Sequence, residues 1–263
     1  MPGTDLALLI EAARDAGAIA LRHFGQNPDY TDKPGGAGPV SEADIAVDDA
    51  LREALLDARP DYGWLSEETP DSAHRRETAR QFIVDPIDGT RAFLGNNPDW
   101  ALSLAVTDRG EASAAVVFLP ARDLLFAAAL GEGATLNGET IRPTDADLEG
   151  ARVLAAKPAF APGHWKGGML PPVERVFRSS LAYRMCLVAQ GRFDAMLTLR
   201  PAWEWDIAAG TLICAEAGAC ATDPARGRLS FNNPRPKLSG VLAAGPRLHA
   251  ALADRLEPPR PSG

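Results

Sequence analysis

The sequence contains little cysteine, with only Cys186, Cys214 and Cys220 among 263 residues. The number is odd and no pair has CxxC spacing, so the sequence indicates neither a disulfide framework nor a zinc site. We expect all three to be buried, reduced thiols of a cytoplasmic protein.

Long hydrophobic runs are also missing. In the N-terminal segment, Glu11, Arg14 and Asp15 interrupt the apolar sequence. The uninterrupted part is well short of the about 18 residues that a membrane-spanning helix needs. The segment is therefore predicted to be neither a secretory signal nor an anchor, and no membrane partner is expected.

Clustered positive charge is the third feature that the sequence lacks. There are only 4 lysines beside 23 arginines, and these basic residues are scattered along the chain. With 27 basic and 35 acidic side chains the formal net charge is −8, which would repel a nucleic-acid backbone. A nucleic-acid polymer is therefore not an expected partner, and an anionic substrate would have to be held by something other than bulk charge.

The length and a hydrophobic content of 46% allow one large domain or two small ones. Thr4 is predicted to cap a first helix that Gly25 ends, Asn27 to Pro39 to form a loop, and a second helix to start near Ser41. Strands are predicted over residues 81–84, 100–106, 112–119 and 124–130, before a hairpin turn at 137–138. Later strands (153–156, 193–199, 241–244) alternate with helices (180–189, 207–217, 246–256).

This change of pattern predicts two halves of different architecture. Residues 1–140 are expected to form an α+β half, and residues 141–263 an α/β half. The last residues, from Glu257 to Gly263, are expected to fray.

Acidic residues follow several of the predicted strands. The run Asp85-Pro86-Ile87-Asp88-Gly89-Thr90 comes directly after an apolar strand, and its proline and glycine predict a turn on which the two carboxylates converge. Glu67 follows another apolar segment, and Asp206 is predicted to lie at or beside a helix N-cap. Hard dications such as magnesium prefer oxygen ligands. Four carboxylates and one carbonyl would supply such a site if the fold brings them together: Glu67, Asp85, Asp88, Asp206 and the carbonyl of Ile87.

A structural interpretation of the same residues stands beside this one. Asp85 and Asp88 would then stabilise a turn, Asp206 would cap a helix, and Glu67 would be solvated. The joint presence of these segments in one chain, in this order, favours the metal site.

The motifs Ser66-Glu67-Glu68, Asp85 to Thr90 and Trp205 to Gly210, in this order, resemble the inositol monophosphatase superfamily of magnesium-dependent, lithium-sensitive phosphatases. Pro39 to Asp44, and Ser179-Ser180 with Met185 to Ala189, also match, so the resemblance covers nearly the whole chain. It implies the layered αβαβα sugar-phosphatase fold with metals between the two halves. It also implies a homodimer as a frequent assembly.

The resemblance further implies a site of two or three magnesium ions. Glu67, Asp85 and the Ile87 carbonyl would hold one ion, and Asp85, Asp88 and Asp206 a second. Two such ions can clamp the attacking and leaving oxygens of a phosphoryl transfer and lower the pKa of a bound water.

Three residues would orient and deprotonate that water in the family's manner: Thr90 with Asp44, and Glu67. Asp44 could equally be an acidic first-turn residue of the helix that begins at Ser41. Backbone amides in a glycine turn and hydroxyls at a helix start suit a phosphate. The residues expected to contact the substrate are Asp88, Gly89, Thr90, Ser179, Ser180, Arg200 and Asp206.

The substrate is predicted from departures from the inositol pattern. Enzymes acting on inositol phosphates usually carry a glutamate seven residues before the last metal aspartate, and here that position is Leu199. Leucine accepts no hydrogen bond from a ring hydroxyl, whereas the following Arg200 can bind a second phosphate bidentately. Four segments resemble bacterial 3'(2'),5'-bisphosphate nucleotidases more closely: 65–68, 99–101, 179–181 and 203–206.

Adenosine 3',5'-bisphosphate is therefore the expected small-molecule phosphate ester. Inositol 1-phosphate and another sugar phosphate are the alternatives, since Met185 to Ala189 is shared with inositol enzymes. Trp203 and Trp205 are expected to pack in the core, with a lining for a flat substrate ring as the alternative. A binding protein without turnover is disfavoured because every expected ligand side chain is present.

Overall fold

The computed structural model describes residues 2–36 and 38–257. These residues form six α-helices: α1 (Pro2–His23), α2 (Glu42–Ala58), α3 (Thr90–Leu94), α4 (Leu181–Ala189), α5 (Glu204–Ala217) and α6 (Pro246–Ala253). The strands of the first part are β1 (Tyr30–Asp32), β2 (Pro39–Ser41), β3 (Gly63–Ser66), β4 (Arg80–Asp88), β5 (Ala101–Asp108), β6 (Glu111–Leu119), β7 (Leu124–Ala129), β8 (Gly133–Leu136) and β9 (Glu139–Thr140). Those that follow are β10 (Arg152–Ala155), β11 (Glu174–Val176), β12 (Ala195–Thr198), β13 (Ala202–Trp203), β14 (Cys220–Thr222), β15 (Lys237–Leu238) and β16 (Val241–Ala244).

Two larger sheets organise the fold. The first has seven strands in the order β3-β4-β5-β6-β7-β8-β9, with β3 parallel to β4 and every later pair antiparallel. The second has the order β11-β10-β12-β16-β14 and is mixed, since β10 runs parallel to β11 and β12 while β16 is antiparallel to both its neighbours. Two short pairs, β1-β2 and β13-β15, complete the strand pairing of the described residues.

Helices cover both faces of each larger sheet. Helices α1 and α2 pack on the outer face of the first sheet, α4 and α5 lie between the two sheets, and α6 packs on the far face of the second. Strand β5 is accordingly buried over seven consecutive residues, as expected for a strand that is covered on both faces. The result is the layered mixed α+β fold, with helices and sheets alternating as αβαβα.

The core between the sheets draws on both parts of the chain. Leu65 and Ile83 of the first sheet belong to the same buried cluster as Met196 and Val241 of the second. Along β12, Met196 faces this cluster while Leu197 faces α6, as the alternation of a strand requires. The division into 1–140 and 141–263 stays a prediction about domains.

Several element predictions are confirmed and several boundaries move. Ser41 is the N-cap of α2, and Asn137 and Gly138, both with positive φ, form the hairpin turn between β8 and β9. Thr4 is not an N-cap, because α1 already begins at Pro2. The predicted loop 27–39 contains β1, which pairs with β2. The predicted fraying of the tail concerns residues that, from 258 onward, lie outside the described part.

Within the described ranges, none of the helices has both the length and the apolar character needed to cross a membrane.

Candidate active site

The acidic cluster lies where the ends of three elements meet. Strands β3 and β4 are parallel neighbours, so Glu67, which directly follows β3, lies beside the carboxyl end of β4, where Asp85 is found. Helix α5 brings Asp206 to the same place in its first turn. One carboxylate oxygen from each of Glu67, Asp85 and Asp206 lies within 4.8 Å of the others. The structure thus brings together three segments that are far apart in the sequence.

Burial and mutual repulsion dominate the electrostatics of the aspartates in this cluster. Burial, reinforced by the charges of Glu67, Asp88 and Asp206, raises the pKa of Asp85 well above its usual value. Burial and the neighbouring Asp88 and Glu67 also raise the pKa of Asp206 well above normal. A divalent ion would relieve both effects, and the donors are the hard oxygens that magnesium and calcium prefer. The residues therefore fit a metal of that class.

The run from Asp85 to Asp88 differs from the simple turn that its sequence predicts. It continues β4, and the pairing with β5 is interrupted by a bulge between Asp85 and Asp88. The bulge is closed locally, because the amide of Ile87 donates to Asp85 Oδ1 over 3.0 Å. Gly89 follows with φ +104°, and a Cβ there would lie 3.2 Å from the carbonyl oxygen of Asp99. Only glycine fits this reversal without strain.

Asp44 belongs to the first turn of α2 and also contacts Thr90. Its Oδ2 accepts from the backbone amide of Ser41 over 2.8 Å, in the capping box of α2. Its Oδ1 lies 3.2 Å from the hydroxyl of Thr90, which also lies 3.2 Å from the carbonyl of Ile87. Burial raises the pKa of Asp44 above its usual value, although these hydrogen bonds oppose the rise.

Asp88 is hydrogen-bonded to the start of helix α4. Its Oδ2 accepts from the Ser180 hydroxyl over 2.6 Å and from the Ala182 amide over 2.7 Å. Ser180 is fully buried and is the N-cap of α4. The anion site expected at this helix start is therefore occupied by a protein carboxylate, and half-buried Ser179 is the more accessible hydroxyl. Burial outweighs the hydrogen bonds and raises the pKa of Asp88 to about 6.

Lys33 is a site residue that the sequence analysis missed. Its Nζ lies 2.7 Å from Glu67 Oε1 and 2.6 Å from Glu68 Oε1. Burial lowers the pKa of Lys33, but the two glutamates outweigh it and the net shift is upward. Burial raises the pKa of Glu68 to about 7 in spite of this lysine. The only signal in the sequence was a lone lysine in a glycine- and proline-rich segment.

Two arginines act electrostatically on the aspartates of the site, Arg184 through Asp88 and Asp206 and Arg200 through Asp206. Burial is the main cause that lowers the pKa of Arg184 to about 10; the charge of Arg200 acts in the same direction, and Asp88 and Asp206 oppose the change. Arg184 is thus close enough to interact with all three of these groups. It is held in place by Nε donating to the carbonyl of Arg178 over 2.6 Å. Arg200 was predicted to belong to the site, whereas Arg184 was not.

The two tryptophans before Asp206 form a stack instead of an open platform. The rings of Trp203 and Trp205 are 4.8 Å apart with 12° between their planes, and Lys237 Nζ lies 4.2 Å from the Trp203 ring centre. Trp205 belongs to the core. Because Trp203 already contacts both Trp205 and Lys237, its predicted packing role is favoured over a lining for a flat substrate ring. Trp203 is also the N-cap of α5, which therefore begins earlier than predicted and places Asp206 inside the first turn.

The fold and the acidic cluster together define a metal-dependent phosphatase class, and comparison with known proteins agrees. The model of the inositol monophosphatase family matches residues 4–258. The chain is 35% identical over 275 residues to the inositol-1-monophosphatase of Rhizobium meliloti strain 1021, covering 98% of this chain and 97% of that protein. The chain belongs to the inositol monophosphatase family, a family of metal-dependent phosphatases.

Two further relatives carry the name SuhB, and a third is named IMPase. The chain is 30% identical over 261 residues to the Nus factor SuhB of Escherichia coli strain K12, covering 94% of this chain and 93% of that protein. The solved structure of the extragenic suppressor protein SuhB from Bartonella henselae matches with a TM-score of 0.82 and 28% identity, over 95% of this chain and 97% of that one. An IMPase structure from Thermotoga maritima matches with a TM-score of 0.81 and 26% identity, over 97% and 96%. The predicted layered fold is confirmed.

Proposed function

We propose that the protein is a magnesium-dependent phosphomonoesterase that removes the 3'-phosphate of adenosine 3',5'-bisphosphate. The convergence of Glu67, Asp85 and Asp206 within 4.8 Å supports the hydrolase part of the proposal. The substrate part is supported by Arg200, which is exposed and acts electrostatically on Asp206, so that its guanidinium can meet a second phosphate group.

The proposed metal ligands are the five groups that the sequence suggested. Glu67, Asp85 and the Ile87 carbonyl would hold one magnesium ion, and Asp85, Asp88 and Asp206 a second. When bound, magnesium supplies charge neutralisation for the phosphate and lowers the pKa of a water molecule.

The protein's own part is to place and deprotonate that water. The Thr90 hydroxyl donates to Asp44 or to the Ile87 carbonyl, so its oxygen is free to accept a hydrogen bond from the water. Glu67 and the Asp44-Thr90 pair would receive the proton as the water attacks. The backbone amides of Gly89 and Thr90 and the hydroxyl of Ser179 are the proposed phosphate contacts.

The identity of residue 199 supports a substrate other than a polyol. Leucine accepts no hydrogen bond from a ring hydroxyl, and Leu199 packs against the cluster on the α6 side of the second sheet. The next residue, Arg200, can bind a second phosphate bidentately. These two residues favour a substrate with two phosphates.

Inositol 1-phosphate is the alternative substrate, and another sugar phosphate is compatible with the same metal cluster. The alternative is favoured by the 35% identity to a protein named inositol-1-monophosphatase. A nucleic-acid polymer and a membrane are not proposed as partners, while a homodimer and a cytoplasmic location stay predictions.

The deciding experiment measures phosphate release from adenosine 3',5'-bisphosphate and inositol 1-phosphate side by side in magnesium. We expect kcat/KM to be at least about tenfold higher for the nucleotide, since a charge-assisted contact to the second phosphate contributes about 1.5–3 kcal/mol. Preference for the inositol ester would overturn the substrate assignment, and release from neither ester would overturn the activity. Lithium is expected to inhibit by displacing the weaker magnesium, and full activity in its presence would count against this mechanism.

A further inference from the structure

A buried carboxylate that the proposed reaction does not use lies directly behind the acidic cluster. Asp48 is on α2, one turn after Asp44, and only 4% of its surface is exposed. Its Oδ1 accepts a short hydrogen bond from the Ser66 hydroxyl, and its Oδ2 accepts one from the Thr69 hydroxyl over 2.5 Å. Asp48 touches neither Asp85 nor Asp206 through any hydrogen bond of the described residues.

The two hydroxyls that Asp48 holds flank the two glutamates of the site. Ser66 precedes Glu67, and Thr69 follows Glu68. The Ser66 oxygen also accepts from the amide of Glu68 over 3.4 Å. Thr69 accepts in turn from the indole Nε1 of Trp64 over 3.1 Å. One carboxylate therefore fixes both ends of the short segment that presents Glu67 to the cluster.

We propose that Asp48 is a positioning residue of the metal site, which holds the 66–69 segment so that Glu67 faces Asp85 and Asp206. The inference rests on the proposed function, because only there is Glu67 a metal ligand. Hydrogen-bond partners behind metal ligands typically contribute about 10–100-fold to metal affinity.

The placement of Asp48 on α2 gives the proposal its second support. Side chains four residues apart lie on one face of a helix, with Cβ atoms about 5–6 Å apart. Asp44 reaches Thr90 after β4, and Asp48 reaches the segment after β3. A single rigid helix thus sets the relative position of the hydroxyl and the glutamate that would handle the attacking water.

Lys33 also binds the two glutamates of this segment. It donates to both Glu67 and Glu68 from the segment that follows β1. Without the bonds to Asp48, the 66–69 segment would keep this lysine as a partner but lose its side-chain bonds to α2. Loss of Asp48 should therefore weaken metal binding even when the protein stays folded.

The test measures magnesium affinity directly, by calorimetric titration of the metal-free full chain, together with the melting temperature. Asp48→Ala removes both acceptors, whereas Asp48→Asn keeps one acceptor oxygen. Asp194→Ala is the matched control, because Asp194 accepts from the Thr144 hydroxyl and the Arg152 amide, each over 2.8 Å, in the other sheet.

We expect Asp48→Ala to weaken magnesium binding by about 10–100-fold and Asp48→Asn to weaken it clearly less. Asp194→Ala should lower the melting temperature while the magnesium affinity stays within about twofold, as for a distant, independent site. Ser66→Ala should weaken binding too, and adding it to Asp48→Ala should cause little further loss, since both remove the same bond.

Three results would overturn the proposal. The first is an unchanged magnesium affinity in folded Asp48→Ala, and the second is an equal loss of affinity in Asp48→Asn, which would indicate an effect of charge. The third is that the losses of affinity in Asp48→Ala and Ser66→Ala multiply fully when the two changes are combined. If Asp48→Ala does not fold, unchanged affinity in both Asp48→Asn and Ser66→Ala overturns it instead. A wild-type chain that binds magnesium but hydrolyses no phosphate ester would contradict the proposed function alone. One that binds no magnesium would contradict both.

Discussion

The ammonium of Lys33 lies 2.7 Å from Oε1 of Glu67, the carboxylate that also borders Asp85 and Asp206. A cation of the protein therefore already neutralises part of the acidic cluster. Both side chains of the pair are partly shielded, with 17% and 23% of their surfaces exposed. A metal that uses Glu67 has to compete with this ion pair, and the competition can be measured.

Removal of the ammonium is expected to strengthen metal binding. In Lys33→Met, Glu67 is free of its partner, so magnesium should bind about two- to fivefold more tightly, the scale of a partly exposed ion pair. The metal-free protein should become less stable, because its carboxylates then repel one another without compensation. Calorimetric titration with magnesium measures the first effect and thermal unfolding the second. Lys166→Met is the control, since Lys166 donates to the Asp254 carbonyl far from the cluster. Weaker magnesium binding in Lys33→Met would contradict the prediction and show that the lysine orients Glu67.

The metal-free protein is expected to lose stability as the pH rises from about 4 to about 7. Burial raises the pKa of Asp88 to about 6 and that of Glu68 to about 7, and raises those of Asp85 and Asp206 as well. A carboxyl group whose pKa is higher in the folded state binds more protons folded than unfolded. Its stabilising contribution is thus complete below the pKa of the unfolded state and is lost as the pH rises through the pKa of the folded state. Urea unfolding in the presence of a chelator, repeated at several pH values, measures this loss of stability. Saturating magnesium should make the free energy of unfolding depend less on pH.

Neutralising the buried carboxylate of Asp85 should separate activity from stability. Asp85→Asn is expected to reduce magnesium-dependent phosphate release by about 10³-fold or more, since a metal ligand supports several kcal/mol of transition-state stabilisation. The same change should raise the melting temperature of the metal-free protein, by about 2–4 °C for each kcal/mol of repulsion removed. Differential scanning calorimetry and a phosphate assay provide the two readouts. Asp49→Asn, an exposed position on α2, should change neither, and retained activity in Asp85→Asn would contradict the metal assignment.

The sequence predicted those parts of the site that local motifs encode. Asp85, Ile87 and Asp88 occupy one short segment after a strand, and Glu67 follows the neighbouring parallel strand, so their convergence follows from strand pairing. The prediction of a turn over these residues is wrong in detail, because β4 continues through a bulge to Asp88. No local pattern separates a bulge from a turn when proline and glycine are both present.

The residues that sequence reasoning missed act over long distances in the chain. Lys33 reaches glutamates 34 and 35 residues away, and Asp48 reaches Ser66 and Thr69 across the gap between α2 and β3. Lys33 follows an aspartate in a loop, and Asp48 is one of several acidic residues of α2, so neither is distinguished by its local sequence. Their partners depend on tertiary packing, which hydrophobic periodicity does not specify. Strand β1 was missed for a related reason, since its three exposed residues lack an apolar face.

The second phosphate of the proposed substrate provides the last prediction. Arg200 is exposed at the end of β12 and lies close enough to Arg184 to affect its pKa. Arg200→Gln removes the guanidinium without removing any proposed metal ligand. Its kcat/KM for adenosine 3',5'-bisphosphate should therefore fall by about 10–100-fold, the scale of a charge-assisted contact.

The matched substrate for this test is adenosine 3'-monophosphate, which carries the same scissile ester without the second phosphate. Arg200→Gln should change kcat/KM for this ester by less than about threefold, because no charged contact is lost. Arg228→Gln is the control variant, since Arg228 pairs with Glu111 on the surface over 2.8 Å and should alter neither substrate. Equal losses on the two adenosine esters would show that Arg200 acts on the scissile phosphate or on the fold, and the assignment of a second-phosphate site to Arg200 would then be wrong.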